Sequence, residues 1–193
     1  MGVFLKCSFN LSPMRKLLIN KILKVGRFLF EAGVVDYFSG NLSIRWKNQI
    51  FITRSGSPLP LLKPQDVILI KEGKPIVGKP SSEYIVHRAI YEKTDHRAVA
   101  HAHPPTVVKI AFQMEEDKYI PRDSEGRYLL GEVPIVRVSV PSASKELAEA
   151  VSEKLKKCPC VVVYSHGVFC VGDDLEKAAG LITALEQSAK VFK

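Results

Sequence analysis

The stretch Ala98-Val99-Ala100-His101-Ala102-His103-Pro104-Pro105 constrains this chain more than any other. Small and β-branched residues lead into it and two prolines stop it, which predicts a strand that ends abruptly. Side chains alternate along a strand, so Val99, His101 and His103 share one face and Ala98, Ala100 and Ala102 the other. The two histidines then stand about 6.5 Å apart at Cα, where their imidazoles can converge on one metal ion. Two half-buried histidines bonded to backbone carbonyls would carry the same pattern. The alanines leave room for another element to pack closely behind. His166, in Ser165-His166-Gly167, is the third candidate ligand: it interrupts a valine-rich run beside a glycine that lets the backbone bend. Three histidines at strand ends match the ligand count of catalytic zinc, which keeps one position open.

The remaining segments supply the frame. Residues 14–32 place Leu18, Ile22, Val25 and Leu29 at helical spacing, and Gly33 closes the helix. Residues 42–46 and 49–53 form a hairpin across Lys47-Asn48, and residues 66–70 a third strand. Ser81-Ser82 opens a helix through about Lys93, with Glu83 in its first turn. A helix follows from Thr106. Residues 115–134 read as one long irregular loop, and residues 135–140 as a strand. Ser142 or Ser144 caps a helix to about Lys156, residues 161–164 and 168–171 are strands, and Asp173-x-x-Glu176 is a capping box for the last helix. Strands interleaved with helices predict a layered α/β sandwich. Residues 1–13 read as a loose leader and 14–193 as one domain.

Composition narrows the function. No apolar run is long enough to span a membrane. The net charge of +8 comes from lysines and arginines scattered without interleaved aromatics, which argues against nucleic acid and for a solvated surface. Four cysteines (Cys7, Cys158, Cys160 and Cys170) without a Cys-x-x-Cys pair read as thiols in a cytoplasmic protein. His87 lies one helical turn after Glu83 on the same face, where it can orient that carboxylate, and is read in preference as a structural hydrogen-bonding group. His96 is read as solvated. Three polar turns, Ser39-Gly40-Asn41, Arg54-Ser55-Gly56 and Ser81-Ser82, offer amides and hydroxyls suited to an anion.

Taken together and in order, Ser39-Gly40-Asn41-Leu42-Ser43-x-Arg45, Ser55-Gly56, Pro80-Ser81-Ser82-Glu83, Ala98-Val99-Ala100-His101-Ala102-His103-Pro104 and Ser165-His166-Gly167 resemble the class II aldolase/adducin family, most of all its L-fuculose-1-phosphate aldolase branch. The resemblance runs from about Met14 to the last helix. It implies a three-layer α/β/α sandwich around a largely antiparallel central sheet, and a C4 homotetramer with active sites between subunits. It implies zinc on His101, His103 and His166, Glu83 as acid/base, and a substrate phosphate cradled by Gly40, Asn41, Ser55, Gly56, Ser81 and Ser82. The implied reaction is reversible cleavage of a ketose 1-phosphate to dihydroxyacetone phosphate and a short aldehyde.

The resemblance also calls for a tyrosine on the loop after the metal strand, reached from a neighbouring subunit. Tyr119 is assigned to it, with Tyr128 also nearby and not separated from it by spacing. The C-terminal tail of the aldolases, with its second tyrosine, has no counterpart before Lys193. The same fold also serves methylthioribulose-1-phosphate dehydratases and pentulose-phosphate 4-epimerases. Glu83 argues against the epimerase, whose family members carry aspartate there. A non-enzymatic adducin-like interaction domain would have lost the three histidines.

Overall fold

In the computed structural model, which describes residues 12–191, the histidine strand lies at the centre of an eight-stranded sheet. The strands are β1 (Asn41–Trp46), β2 (Gln49–Thr53), β3 (Val67–Lys71), β4 (Ala98–Ala102), β5 (Lys118–Tyr119), β6 (Val133–Val136), β7 (Cys160–Val163) and β8 (Gly167–Gly172), in the spatial order β3-β2-β1-β4-β8-β7-β6-β5. Every neighbouring pair is antiparallel except β6 and β7.

Alternation along these strands sorts six helices onto two faces. Ala98, Ala100 and Ala102 of β4 belong to a core shared with α1 (Pro13–Glu31), α3 (Pro105–Gln113), α4 (Ser124–Leu130) and α6 (Leu175–Val191). Val99 belongs to a second core, with Phe169 and Val171 of β8 and the apolar stripes of α2 (Tyr84–Lys93) and α5 (Lys145–Lys154). The architecture is thus an α/β fold with a mostly antiparallel sheet between helical layers. The small β4 side chains let Ala178, Ala179 and Ile182 of α6 come close, and all are fully buried.

Several boundaries differ from expectation for identifiable reasons. The first helix starts at Pro13, and the Ser12 hydroxyl accepts from the Arg15 amide, so these two residues belong to the helix. The rest of the expected leader, with Cys7, lies outside the described residues. Within the expected long loop, Lys118–Tyr119 pairs with β6, and Asp123 caps the short α4 by accepting from the Gly126 amide. Strand β6 begins earlier, at Val133, and ends at Val136, because the Ser139 amide is taken by the Glu146 carboxylate at 3.1 Å. The last helix is capped by Asp174, which accepts from the Lys177 amide at 2.7 Å, and not by Asp173. Cys160 and Cys170, expected as thiols, are directly opposed across β7 and β8 and joined as a disulfide, leaving Cys158 the free cysteine among the described residues.

Candidate active site

His101, His103 and His166 meet at the ends of β4 and the β7–β8 hairpin, with one ligand nitrogen from each within 4.8 Å of the others. His101 points as the alternation requires, stacked on Phe169, its register partner in β8, at 4.1 Å between ring centroids. Its Nδ1–H donates to the Val168 carbonyl at 2.8 Å, which turns Nε2 toward His103 at 3.0 Å. A histidine ligand fixed through its other nitrogen is the usual second layer of support for a metal. Beyond the strand, the His103 amide donates to the Val34 carbonyl at 3.0 Å, tying this residue to the loop after α1.

Gly167 acts by proximity. The left-handed backbone in the hairpin is at Ser165, with φ +62. A Cβ on Gly167 would press on the Ala102 carbonyl and lie 2.7 Å from His103 Cδ2 and 3.2 Å from His101 Cε1.

All three imidazoles are held neutral. Burial drives His101 well below the ordinary histidine range, with the other two rings adding repulsion against its charged form. Burial, then His166, lowers His103 to about 4. Burial lowers His166 too, against the opposing pull of Glu83. Neutral nitrogens keep the lone pairs a divalent cation requires.

Glu83 stands beside this cluster, its Oε1 4.0 Å from His166 Nε2. It occupies the cap position of α2, immediately before Tyr84, instead of the first turn of the helix. The helix begins later than Ser82 because Ser81 turns the chain first: its carbonyl accepts from the Tyr84 amide, and its hydroxyl from the Glu83 amide at 3.2 Å. The carboxylate is 3% exposed. Oε1 accepts from the Ser142 hydroxyl at 2.7 Å and from the Ala143 amide at 3.1 Å, while Oε2 is buried without a partner. Ala143 adopts φ +50 in the turn that aims its amide at Glu83. Sequence reasoning missed both residues, and its serine-cap signal belongs to Ser144, whose hydroxyl accepts from the Leu147 amide. An orphaned buried oxygen next to three neutral nitrogens fits a site for a cation and a polar ligand.

The three polar turns converge on the same end of the sheet. Asn41 is directly opposite His101. The Leu42 amide donates to the Thr53 hydroxyl at 3.2 Å, and the Thr53 carbonyl accepts from the Ser81 amide at 2.9 Å. The Ser55 amide donates to the Lys79 carbonyl, so the Ser55-Gly56 turn lies along the segment leading to Ser81 and Ser82. Gly40, at φ +86, is packed so tightly that a Cβ would meet Val35 Cγ1, Leu59 Cδ1 and the His101 carbonyl at 2.8–3.0 Å. Asp36 orders the loop before it, accepting from the Phe38 and Ser39 amides at 2.7 Å. These bonds hold its carboxyl below the usual range. Arg54, the cation of the turns, is directed away, to the Gln65 carbonyl and Asp66.

His87 does not orient the Glu83 side chain. It is fully buried between Asn41 and Ser43. Tyr119 is a correction. It is 3% exposed on the far edge strand, inside its own subunit's core, with its hydroxyl bonded to Ser188 at 3.0 Å. Its hydroxyl is thus engaged within the chain's own core. Tyr128, on α4, is 88% exposed.

Comparison with known proteins identifies the family of the chain. Residues 20–192 match the family described as the Class II Aldolase and Adducin N-terminal domain. An L-fuculose phosphate aldolase of Methanococcus maripaludis strain C7 is 33% identical over 176 residues, spanning 90% of this chain and 94% of that one. A methylthioribulose-1-phosphate dehydratase of a Sulfurihydrogenibium species is 32% identical, over 86% of this chain and 84% of its own. The crystal structure of L-fuculose-1-phosphate aldolase from Thermus thermophilus superposes with a TM-score of 0.86 at 35% identity, covering 93% of both chains. By its sequence and its fold, this chain belongs to the class II aldolase and adducin N-terminal domain family.

Proposed function

We propose that this protein is a zinc-dependent aldolase that reversibly cleaves a ketose 1-phosphate of the L-fuculose 1-phosphate kind into dihydroxyacetone phosphate and a short aldehyde. The observation that carries this reading is the Glu83 carboxylate, buried with one oxygen fixed and the other unpartnered beside three neutral imidazoles. Zinc held by His101, His103 and His166 would supply Lewis-acid polarisation of the substrate oxygens.

The chain's own residues do the rest. Amides and hydroxyls of Gly40, Asn41, Ser55, Gly56, Ser81 and Ser82 hold the phosphate and fix the three-carbon end of the substrate. As the C3–C4 bond breaks, the electron pair stays with C3 and the C4 hydroxyl passes its proton to water in the open cleft, leaving the aldehyde carbonyl, while Glu83 at this stage carries a proton of its own. Glu83 delivers the proton to C3, and takes it back in the reverse direction. Ser142 and Ala143 keep the carboxylate from rotating while its second oxygen moves the proton.

The aldehyde end faces an open cleft of about 530 Å³ lined by His103, Pro105, Val108, Phe112 and His166, among others. Exposed Phe112 at its rim supports completion of the site by a neighbouring subunit in a C4 homotetramer. Tyr128, being exposed, is the better of the two loop tyrosines for that role. The unit from Ser12 through the last helix is one catalytic domain in this reading, and the cytoplasm is its setting. Among the described residues no helix is long and apolar enough to cross a membrane.

The dehydratase among the relatives makes removal of water from a methylthio-sugar phosphate the second reading. Solvent deuterium exchange into dihydroxyacetone phosphate tests the first. We expect exchange by the zinc-loaded protein, reduced about 10²–10⁴-fold in Glu83→Gln with zinc retained. No exchange and no ketose 1-phosphate cleavage, with loss of water from methylthioribulose 1-phosphate, would establish the dehydratase instead.

A further inference from the structure

A buried polar chain lies behind the site, and of its members only Asn41 has a part in the mechanism above. Tyr91 Oη, Ser43 Oγ and His87 Nδ1 follow one another at 2.7 Å, and His87 Nε2 meets Asn41 Oδ1 at 2.6 Å. Ser43 and His87 are fully buried, and Asn41 is nearly so. Polar groups are costly to bury unless each donor finds an acceptor, so a chain like this specifies one arrangement.

Its direction can be worked out. Burial lowers His87 to about 3, so the ring is neutral and carries one N–H. Asn41 presents an oxygen to Nε2, and two acceptors at 2.6 Å would repel, so the N–H is on Nε2. Nδ1 is then an acceptor, and the Ser43 hydroxyl donates to it. The Ser43 oxygen in turn accepts from the Tyr91 hydroxyl, whose own oxygen lies against the Val99 amide. Arg45 anchors the end of α2, donating to the carbonyls of Tyr91, Thr94 and His96 at 2.6–2.9 Å. Every hydroxyl and ring nitrogen has one assignment, and the last acceptor is the Asn41 carbonyl oxygen.

We propose that His87 is a positioning residue, which through this chain locks the Asn41 amide with its oxygen inward and its N–H2 group outward, as a donor to the substrate phosphate. The inference rests on the phosphate assignment made above. An asparagine amide turned over would present its oxygen to a phosphate and repel it. The orientation matters because the cradle's own donors are neutral amides and hydroxyls, and Arg54 of its second turn is engaged elsewhere. The ring is thus a specificity device for the phosphate end and has no contact with the reacting carbons.

The test measures binding of dihydroxyacetone phosphate and of unphosphorylated dihydroxyacetone to the zinc-loaded protein. Asn41→Ala and His87→Leu should each weaken the phosphate ester about tenfold and leave dihydroxyacetone unchanged. The double variant should be no worse than Asn41→Ala, since His87 acts only through that amide. His87→Gln, whose amide N–H replaces that at Nε2, should recover most of the loss. In turnover by His87→Leu, the rise in KM should exceed the fall in kcat. If Asn41→Ala weakens the ester but His87→Leu does not, or if the two losses add, the positioning role is overturned. If Asn41→Ala binds the ester like wild type, the phosphate assignment itself fails. Should His87→Leu not fold, the 15N shifts of the wild-type ring decide: Nε2–H supports the proposal and Nδ1–H overturns it.

Discussion

Asn41 and His101 are directly opposed across β1 and β4, so the turn assigned to phosphate and the strand assigned to metal are one inter-strand spacing apart. That spacing is a property of the backbone ladder, about 4.8 Å, and does not depend on any flexible side chain. Glu83 joins the same end of the sheet through Ser81 and Thr53. The separation of the proposed phosphate, metal and base sites is thereby set by strand pairing, which makes the site sensitive to backbone changes beside it.

Gly167→Ala is the most direct such change. The new methyl group would push against the Ala102 carbonyl, which cannot yield without moving β4, and against the rings of His101 and His103. We expect zinc affinity to fall about 10–100-fold, as for other changes to the support of metal ligands. Zinc transfer from a competing chelator measures it. Unchanged affinity would mean that the hairpin does not set the histidine geometry.

Ser142→Ala leaves Glu83 anchored by the Ala143 amide alone. A hydrogen bond to a charged group contributes about 1.5–3 kcal/mol, so proton exchange at the donor carbon should slow by tenfold or more. Zinc content should not change. Ala143→Gly is the companion: it keeps the amide and removes the cost of a left-handed alanine, about 1 kcal/mol. That variant should melt higher than wild type with exchange intact.

Acid should destabilise the metal-free protein in a way traceable to His87. The folded-state value, about 3, lies below that of the unfolded chain, about 6.5. Between these limits the unfolded chain binds the extra proton, so stability is fully present above pH 6.5 and declines as pH falls toward 3. The slope from one such histidine reaches about 1.4 kcal/mol per pH unit. Urea unfolding at several pH values should show a shallower decline in His87→Gln than in wild type. Equal slopes would mean that His87 is not buried in its neutral form.

Much of this was legible in the residues. Alternation put His101 on the face that reaches His166, and helical spacing found α1. The order of five short motifs identified the family. The remainder was hidden where partners distant in sequence decide the outcome. Ser142 and Ala143 lie about sixty positions from Glu83, and no local pattern joins them. Cys160 and Cys170 are opposed only because the 164–166 turn sets that register. Strand β5 has two residues, too few to show a period, and α4 is a seven-residue helix containing Gly126. Tyr119 and Tyr128 look alike in sequence, and only the pairing of β5 with β6 buries the first.

The position of β8 between β4 and β7 has a consequence for how the protein is made. His101 leaves the ribosome long before Phe169, the residue that stacks on it, and before Val168, whose carbonyl sets its tautomer. Until residues 167–172 arrive, one side of β4 is an open ladder of amides and carbonyls, able to pair with another nascent chain. The strand that finishes the metal site also closes that exposed edge. A chain with this histidine cluster assembled is therefore one in which β4 no longer has an open edge.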